Sequence, residues 1–253
     1  MNLYARFARF YHEGPYRQFS LRVASVTFPH ILDEIKLKPD KLLDLACGEG
    51  SFAIEMAKQG MHVTGLDCSK TMLDIARSNA RDANVNIEWV LNDMQQMQFN
   101  QQFDAVTCFF DSLNYLLSVK DLHNTFHGTY NALTPGGYFI FDMNTLYGLE
   151  VEWQRFPDHI QQDQPSFMEI HTNSCDYEND IATVRIIIFE KQANSWQRYE
   201  EIHQERGYSC EDILFLLKTC GFEVMHLLGD PQTFRPLGSQ DGRLWVIARR
   251  SGS

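Results

Sequence analysis

Hydrophobic positions fall into a regular order beginning at Leu42. An apolar run, Leu42-Leu43-Asp44-Leu45, suits a buried strand, and Ala46-Cys47-Gly48-Glu49-Gly50 makes a turn of small residues. Helical spacing follows from Ser51 to Gln59, and a second apolar run, His62 to Leu66, ends at Asp67. Strand, Gly-rich turn, helix, strand and terminal acid describe a βαβ unit. Downstream, Ser69 is placed to cap a helix running to about Ala83, Asn86 to Leu91 forms a short strand, and Phe103 to Phe110 forms another. A helix from about Lys120 to Ala132 leads through the turn Leu133-Thr134-Pro135-Gly136-Gly137 into a strand from Tyr138 to Asp142. Such alternation predicts a mostly parallel, doubly wound α/β sheet.

Two regions depart from it. Before the first strand, Leu3, Phe7, Phe10, Tyr11, Phe19, Val23, Val26 and Ile31 recur at helical spacing, with a break at Gly14-Pro15. That predicts a helical flap over residues 1–38, able to present Tyr4, Tyr11 or Tyr16 to a ligand. After Thr145, three extended segments, Phe167 to Tyr177, Ile181 to Glu190 and Trp196 to Arg206, are joined by short turns and so read as antiparallel hairpins. They predict a small inserted sheet within 146–206, a lid or a dimer surface. The main domain then comprises 39–145 and 207–250. It closes with a helix from Cys210 to Thr219 capped by Gly221, then an antiparallel pair, Phe222 to Leu228 and Arg243 to Arg249.

The βαβ unit carries the first hint of chemistry. Small residues in its turn allow a ligand to approach the backbone, and the helix start presents free N–H donors. Asp67 can accept both hydroxyls of a ribose, or cap the Ser69 helix; Asp44 can touch ligand or cap its own turn. Composition narrows the partners. A formal charge of -11 repels phosphate backbones and argues against nucleic acid. Six scattered cysteines form no CxxC pair and no zinc-ligand spacing, which suits a reduced cytoplasmic protein and calls for no metal. No apolar run has membrane-spanning length, so no membrane partner is expected.

Taken in order, these motifs resemble the class I S-adenosylmethionine (SAM)-dependent methyltransferases over roughly the whole chain. The likeness is greatest to the small-molecule branch that includes amino-sugar N,N-dimethyltransferases. The branch's acid plus G-x-G-x-G pattern matches Asp44 with Ala46, Gly48 and Gly50, alanine replacing the first glycine. Its second and third acids fall on Asp67 and Asp93. Its fourth strand matches Phe103-Asp104-Ala105-Val106, followed by Asp111-Ser112-Leu113-Asn114-Tyr115. The resemblance implies a seven-stranded Rossmann-like sheet with an antiparallel last strand, SAM as cofactor and S-adenosylhomocysteine as product. It places the methionine moiety against Ala46, Gly48 and Gly50, the ribose on Asp67, and the adenine between Cys68 and Met72 with Asp93 and Met94 at its amino group. Phe109 lies at the cofactor's amino end, and Tyr11 and Tyr16 close over it. Met72, at helical spacing, has plain core as its alternative reading.

Methyl transfer from a sulfonium needs alignment more than acid catalysis, and a base only to relieve the acceptor of its proton. Candidates for that work are Tyr11, Asn114, His171 and His203. The acceptor is expected to be a small molecule. The Asn-Pro-Pro-Tyr signature of adenine methylation and the Pro-Cys pair of cytosine methylation are both missing, with Phe109-Phe110-Asp111-Ser112 and Thr107-Cys108 standing instead. An acidic insert suits an amine, methylated on nitrogen, although oxygen stays open, as does homodimerisation through the insert. Asp111, Asp142 and Asn144 stand near strand ends but lack the spacing of a catechol-type metal site. Two rival readings are a nicotinamide-dependent oxidoreductase and a non-catalytic SAM-binding partner module. The first must read its fingerprint as Ala46-x-Gly48-x-x-Ser51, losing two of three glycines.

Overall fold

The computed structural model describes residues 7–13, 16–193 and 195–252. Leu3, Tyr4 and the Gly14-Pro15 break lie outside them. In chain order the helices are α1 (Phe7–Glu13), α2 (Tyr16–Arg22), α3 (Phe28–Glu34), α4 (Ser51–Lys58), α5 (Lys70–Asp82), α6 (Val119–Ala132) and α7 (Cys210–Thr219). A π-helical turn, Val23–Thr27, joins α2 to α3. The strands are β1 (Lys41–Leu45), β2 (His62–Asp67), β3 (Glu88–Leu91), β4 (Phe103–Cys108), β5 (Leu133–Asn144), β6 (Asp158–Gln164), β7 (Phe167–Asp176), β8 (Ile181–Gln192), β9 (Ser195–Arg206), β10 (Phe222–Asp230), β11 (Arg235–Pro236) and β12 (Arg243–Arg250).

Among the described residues the strands make two sheets. The larger has the order β11-β10-β12-β5-β4-β1-β2-β3, and the smaller the order β6-β7-β8-β9. Pairings β3–β2, β2–β1, β1–β4 and β4–β5 are parallel, whereas β12 runs antiparallel to both β5 and β10. The large sheet therefore has eight strands where seven were expected. Its extra member, β11, is a two-residue edge strand within the Pro-containing loop. The insert likewise gains β6, whose sequence, DHIQQDQ, lacks the apolar alternation by which strands are recognised. All pairs in the insert are antiparallel.

Period-two alternation divides the core. Leu43 and Leu45 of β1 pack with Val106, Phe139, Phe141, Phe126 and Leu217 on the face covered by α6 and α7. Leu42 turns to the other face, with Ala105, Ile140, Phe28, Ile31, Phe52 and Met56 of the α3 and α4 layer. Asp44, one step beyond Leu43, shares that second face, and a carboxylate is thereby carried to the buried C-terminal end of the strand. A third cluster joins α1 to the insert through Phe7, Phe10, Tyr11, Met72, Val184, Ile186 and Ile188. Each fully buried side chain of this size stabilises the fold by about 1.5–3 kcal/mol, so the flap is packed into place rather than draped. Arg17 ties it further, its Nε donating to Ser51 Oγ at 3.0 Å.

Candidate active site

In a doubly wound sheet, ligands gather where the carboxyl ends of the strands splay. Here the ends of β1, β2 and β4 enclose a cavity of about 140 Å³. The turn after β1 lines it with backbone. Ala46, Gly48 and Gly50 all adopt left-handed conformations, with φ of 52°, 55° and 83°. For Ala46 this conformation is strained by about 1–2 kcal/mol, the cost of alanine where a glycine would be relaxed. A Cβ added at Gly48 would meet nothing within 4 Å, because the residue faces the cavity. Gly50 differs: its Cβ would lie 2.7 Å from Trp89 and 3.0 Å from Ala76, so this glycine serves the packing of β3 and α5 beneath the turn.

Three buried carboxylates border the cavity, Asp44, Glu49 and Asp67. Asp44 accepts a hydrogen bond from Thr107 Oγ1 at 2.9 Å. Burial pushes its pKa up to about 7, the Thr107 hydroxyl opposes the rise, and the charge of Asp67 adds to it. Asp67 Oδ2 accepts from Gly48 N at 2.8 Å and Oδ1 from Ser69 N at 2.7 Å. Its pKa is also raised by burial, and those backbone donors offset part of the effect. The carboxylate thus locks the Gly-rich turn to the start of α5, where Ser69 itself caps the helix by accepting from Met72 N at 3.4 Å. Both carboxylates retain acceptor capacity for a ligand hydroxyl. Cys68, Met72, Met94 and Phe109 supply the apolar part of the lining.

Of the residues singled out from the sequence, Tyr11, Asp44, Ala46, Gly48, Asp67, Cys68, Met72, Met94 and Phe109 converge on this cavity. Gly50 stands behind the turn. Asp93 caps a 3-10 turn, Met94–Gln96, by accepting from Gln95 N at 2.9 Å, and does not line the cavity. Tyr16 belongs to the neighbouring cavity, where its hydroxyl donates to Glu169 and lies 3.2 Å from His171 Nε2.

That neighbouring cavity is larger, about 440 Å³, and lies among the flap, the insert and the loop after β4. Tyr11, Phe110 and Tyr115 line both cavities and so form the aromatic boundary, or neck, at which the two adjoin. Its walls are aromatic, with Phe7, Trp153 and Phe156, and its polar lining includes Asp111, Glu152, Glu205, His171 and His203. Arg243, the lining residue of opposite charge, is already engaged by Asp111 at 3.2 Å and by Asp142. Asn144 Nδ2 donates to both Asp111 Oδ2 and Glu205 Oε2 at 2.8 Å. Burial raises Glu205 well above the ordinary carboxylate range, and neighbouring Asp111 raises it further. Asp111, Asp142 and Asn144 are therefore bound to one another's partners through Arg243, Asn144 and the Phe110 and Asp111 amides.

The catalytic candidates separate. Tyr11 and His203 face the larger cavity, but Asn114 is fully buried and lines neither. Its Nδ2 donates to the carbonyls of Asn144 and Arg206 at 3.1 and 2.8 Å, and its Oδ1 accepts from Asn144 N at 2.9 Å. With every polar atom committed to backbone, Asn114 pins β5 and β9 to the loop after β4 and has none left for an acceptor. Phe110 and Tyr115 were missed as neck residues. Their signal was position alone, in the loop leaving a central strand's carboxyl end. Phe110 and Asp111 add a mark invisible in sequence, consecutive left-handed conformations with φ of 63° and 51°.

A backbone cradle edged by carboxylates, adjoining a second cavity across an aromatic boundary, suits a protein that holds a nucleoside-bearing cofactor against a second ligand. Comparison with known proteins makes the class specific. A family model described as a methyltransferase domain matches residues 42–137. YqeM of Bacillus subtilis (strain 168), a protein named as a methyltransferase, is 30% identical over 213 residues, covering 83% of this chain and 84% of that one. The crystal structure of a SAM-dependent methyltransferase from Clostridium acetobutylicum superposes with a TM-score of 0.83 at 26% identity, covering 99% and 100% of the two chains. SAM-bound CalS10, an amino pentose methyltransferase from Micromonospora echinaspora, shares the fold, with a TM-score of 0.71 at 18% identity and 99% coverage of each chain. The chain belongs to the methyltransferase family, and its cofactor is S-adenosylmethionine. The cavity fits that cofactor: a glycine facing open space for close approach, carboxylates for a ligand bearing positive charge and a ribose, and a polarisable wall for a flat ring. Among the described residues no helix is long and apolar enough to cross a membrane.

Proposed function

We propose that this enzyme methylates the nitrogen of a small amine held in the larger cavity. The observation that carries the reading is the adjoining pair of cavities, the second of them lined by more carboxylates than cations and walled by aromatic rings. Such a lining attracts a cationic nitrogen and rejects anions. The amino pentose methyltransferase CalS10 and the sugar N-methyltransferase KedS8 of Streptoalloteichus, which share the fold, support an aminated acceptor.

When bound, S-adenosylmethionine supplies a methyl group carried on a positively charged sulfur. Asp67 takes the ribose hydroxyls, Cys68, Met72 and Met94 enclose the base, and the Ala46–Gly48 backbone with Asp44 and Phe109 holds the amino-acid end. Tyr11, Phe110 and Tyr115 set the direction of approach at the neck, and alignment there contributes most of what this reaction requires. The flap, packed by Phe7, Phe10 and Tyr11 against the insert, covers part of the larger cavity. Six unbonded cysteines suit a reducing cytoplasm, where we place the protein. Should it form a homodimer, the outer insert, with Ile160, Tyr177 and Trp196 exposed, offers the surface.

The test is methyl transfer from radiolabelled SAM to a panel of small primary and secondary amines, with phenols alongside. Amine products support the reading, and labelling confined to phenols would move the assignment to oxygen.

A further inference from the structure

One constellation at the neck exceeds what alignment alone requires. Tyr115 belongs to a single 3-10 turn, Ser112–Tyr115, and touches both cavities. Its hydroxyl lies 3.2 Å from Nδ1 of His203, which β9 presents from the insert. On the far side of that ring, His203 Nε2 lies 3.4 Å from Glu201 Oε2, within ion-pair distance but not aligned for a hydrogen bond. The imidazole is 1% exposed, so bulk water does not serve it. The other Glu201 oxygen, Oε1, accepts from the backbone N–H of Phe7 at 3.0 Å, and the Phe7 ring packs edge-on against His203 with centroids 5.9 Å apart. Hydroxyl, imidazole and carboxylate therefore adjoin, and the Phe7 amide fixes the carboxylate end.

We propose that Tyr115, His203 and Glu201 form a relay that removes the proton lost by the acceptor nitrogen during methylation. The proposal rests on the amine reading above. A carboxylate beside Nε2 favours the tautomer protonated there, which leaves the Nδ1 lone pair to accept from the Tyr115 hydroxyl. In the step, the nitrogen lone pair forms the new N–C bond as the S–C bond breaks, and the electron pair of that bond stays on sulfur. The nitrogen's proton passes to the Tyr115 oxygen while the Tyr115 proton passes to His203 Nδ1. The resulting imidazolium faces the Glu201 carboxylate, and both ring nitrogens then carry protons. Tyr115 is the catalytic residue, meeting the acceptor at the neck. His203 and Glu201 act through it as positioning residues. The packed flap completes the relay, because the Phe7 amide holds Glu201.

Two measurements on the full chain test this separately from the acceptor assignment. Nitrogen-15 NMR of the ligand-free protein reads the tautomer of His203, assigned by its loss in His203→Gln. The relay predicts a protonated Nε2 and a bare Nδ1, with Glu201→Gln shifting the ring toward a tautomer mixture. A proton found on Nδ1 in the parent protein would overturn the proposal. Steady-state transfer to benzylamine and glucosamine is then compared for the parent, Tyr115→Phe and His203→Gln, each checked for an unchanged melting curve. The relay predicts a fall in kcat of about 100-fold or more, with SAM affinity by calorimetry held within about threefold. Full kcat in both variants would overturn it. If neither amine is methylated by the parent, the amine reading fails while the tautomer measurement still decides the geometry of the relay.

Discussion

Replacing Asp44 by Asn separates what this carboxylate does for the fold from what it does for the cofactor. Asparagine keeps the shape and the acceptor for the Thr107 hydroxyl, 2.9 Å away, but removes the charge. The carboxyl is 3% exposed, and burial raises its pKa from 3.8 to about 7. Because the folded value is above the unfolded one, the folded state binds the extra proton. The stability this group contributes is complete below 3.8 and is lost as pH rises through about 7. Between about pH 5 and about pH 8 the parent should lose roughly 3 kcal/mol that the variant keeps, at about 1.4 kcal/mol per pKa unit. Thermal unfolding of the ligand-free proteins should show the variant gaining roughly 6–12 °C on the parent across that interval. Calorimetry at the upper pH should show the reverse in function, a loss of about 10–100-fold in SAM affinity from one missing charge-assisted contact. A difference in melting temperature that does not change with pH would refute the electrostatic argument. Unchanged SAM affinity would refute the placement of Asp44 against the cofactor.

Other residues give sharper contrasts. Asp67→Ala should abolish measurable SAM binding by calorimetry and also lower stability by about 1–3 kcal/mol in denaturant titrations, since the Gly48 and Ser69 amides lose their acceptor. Gly50→Ala should destabilise by about 2–4 kcal/mol through its left-handed φ of 83° and the 2.7 Å approach to Trp89, and this appears as a lowered denaturant midpoint. Asn114→Ala should unfold at lower denaturant, by about 2–4 kcal/mol, because three buried backbone partners are left unpaired. Whatever folds should keep its SAM affinity; a fully stable Asn114→Ala protein that fails only in turnover would reinstate it as catalytic.

Local pattern carried the fold wherever burial imposed a period. Strands β1, β2, β4 and β5 are apolar because both faces of the sheet are covered, and the turn at Ala46–Gly50 is spelled in small residues because the chain must turn left-handed there. Strand β6 was not legible, since a strand with mostly polar residues on an insert's edge has no core to record in its sequence. The same holds for β11, too short for any period. Site residues divided along the same line. Residues close to the Gly-rich turn in sequence line one cavity, whereas Tyr115 and His203, a candidate from the sequence, meet across 88 positions, a distance that only the insert's packing closes. Asp93 and Asn114 stood in suggestive positions but are engaged locally, Asp93 by the backbone and side chain of Gln95 and Asn114 by backbone. Only the folded chain reveals that use.

The central claim is that the Gly-rich turn cradles the cofactor and points its reacting end through the neck into the acidic chamber. A crystal structure of the full chain with S-adenosylhomocysteine tests it most directly. The account predicts the ribose on Asp67, the base beside Met72 and Met94, and the sulfur directed at the opening between Tyr11, Phe110 and Tyr115. A product molecule with its sulfur turned away from that opening, or seated outside the cavity bounded by Asp44 and Asp67, would contradict it.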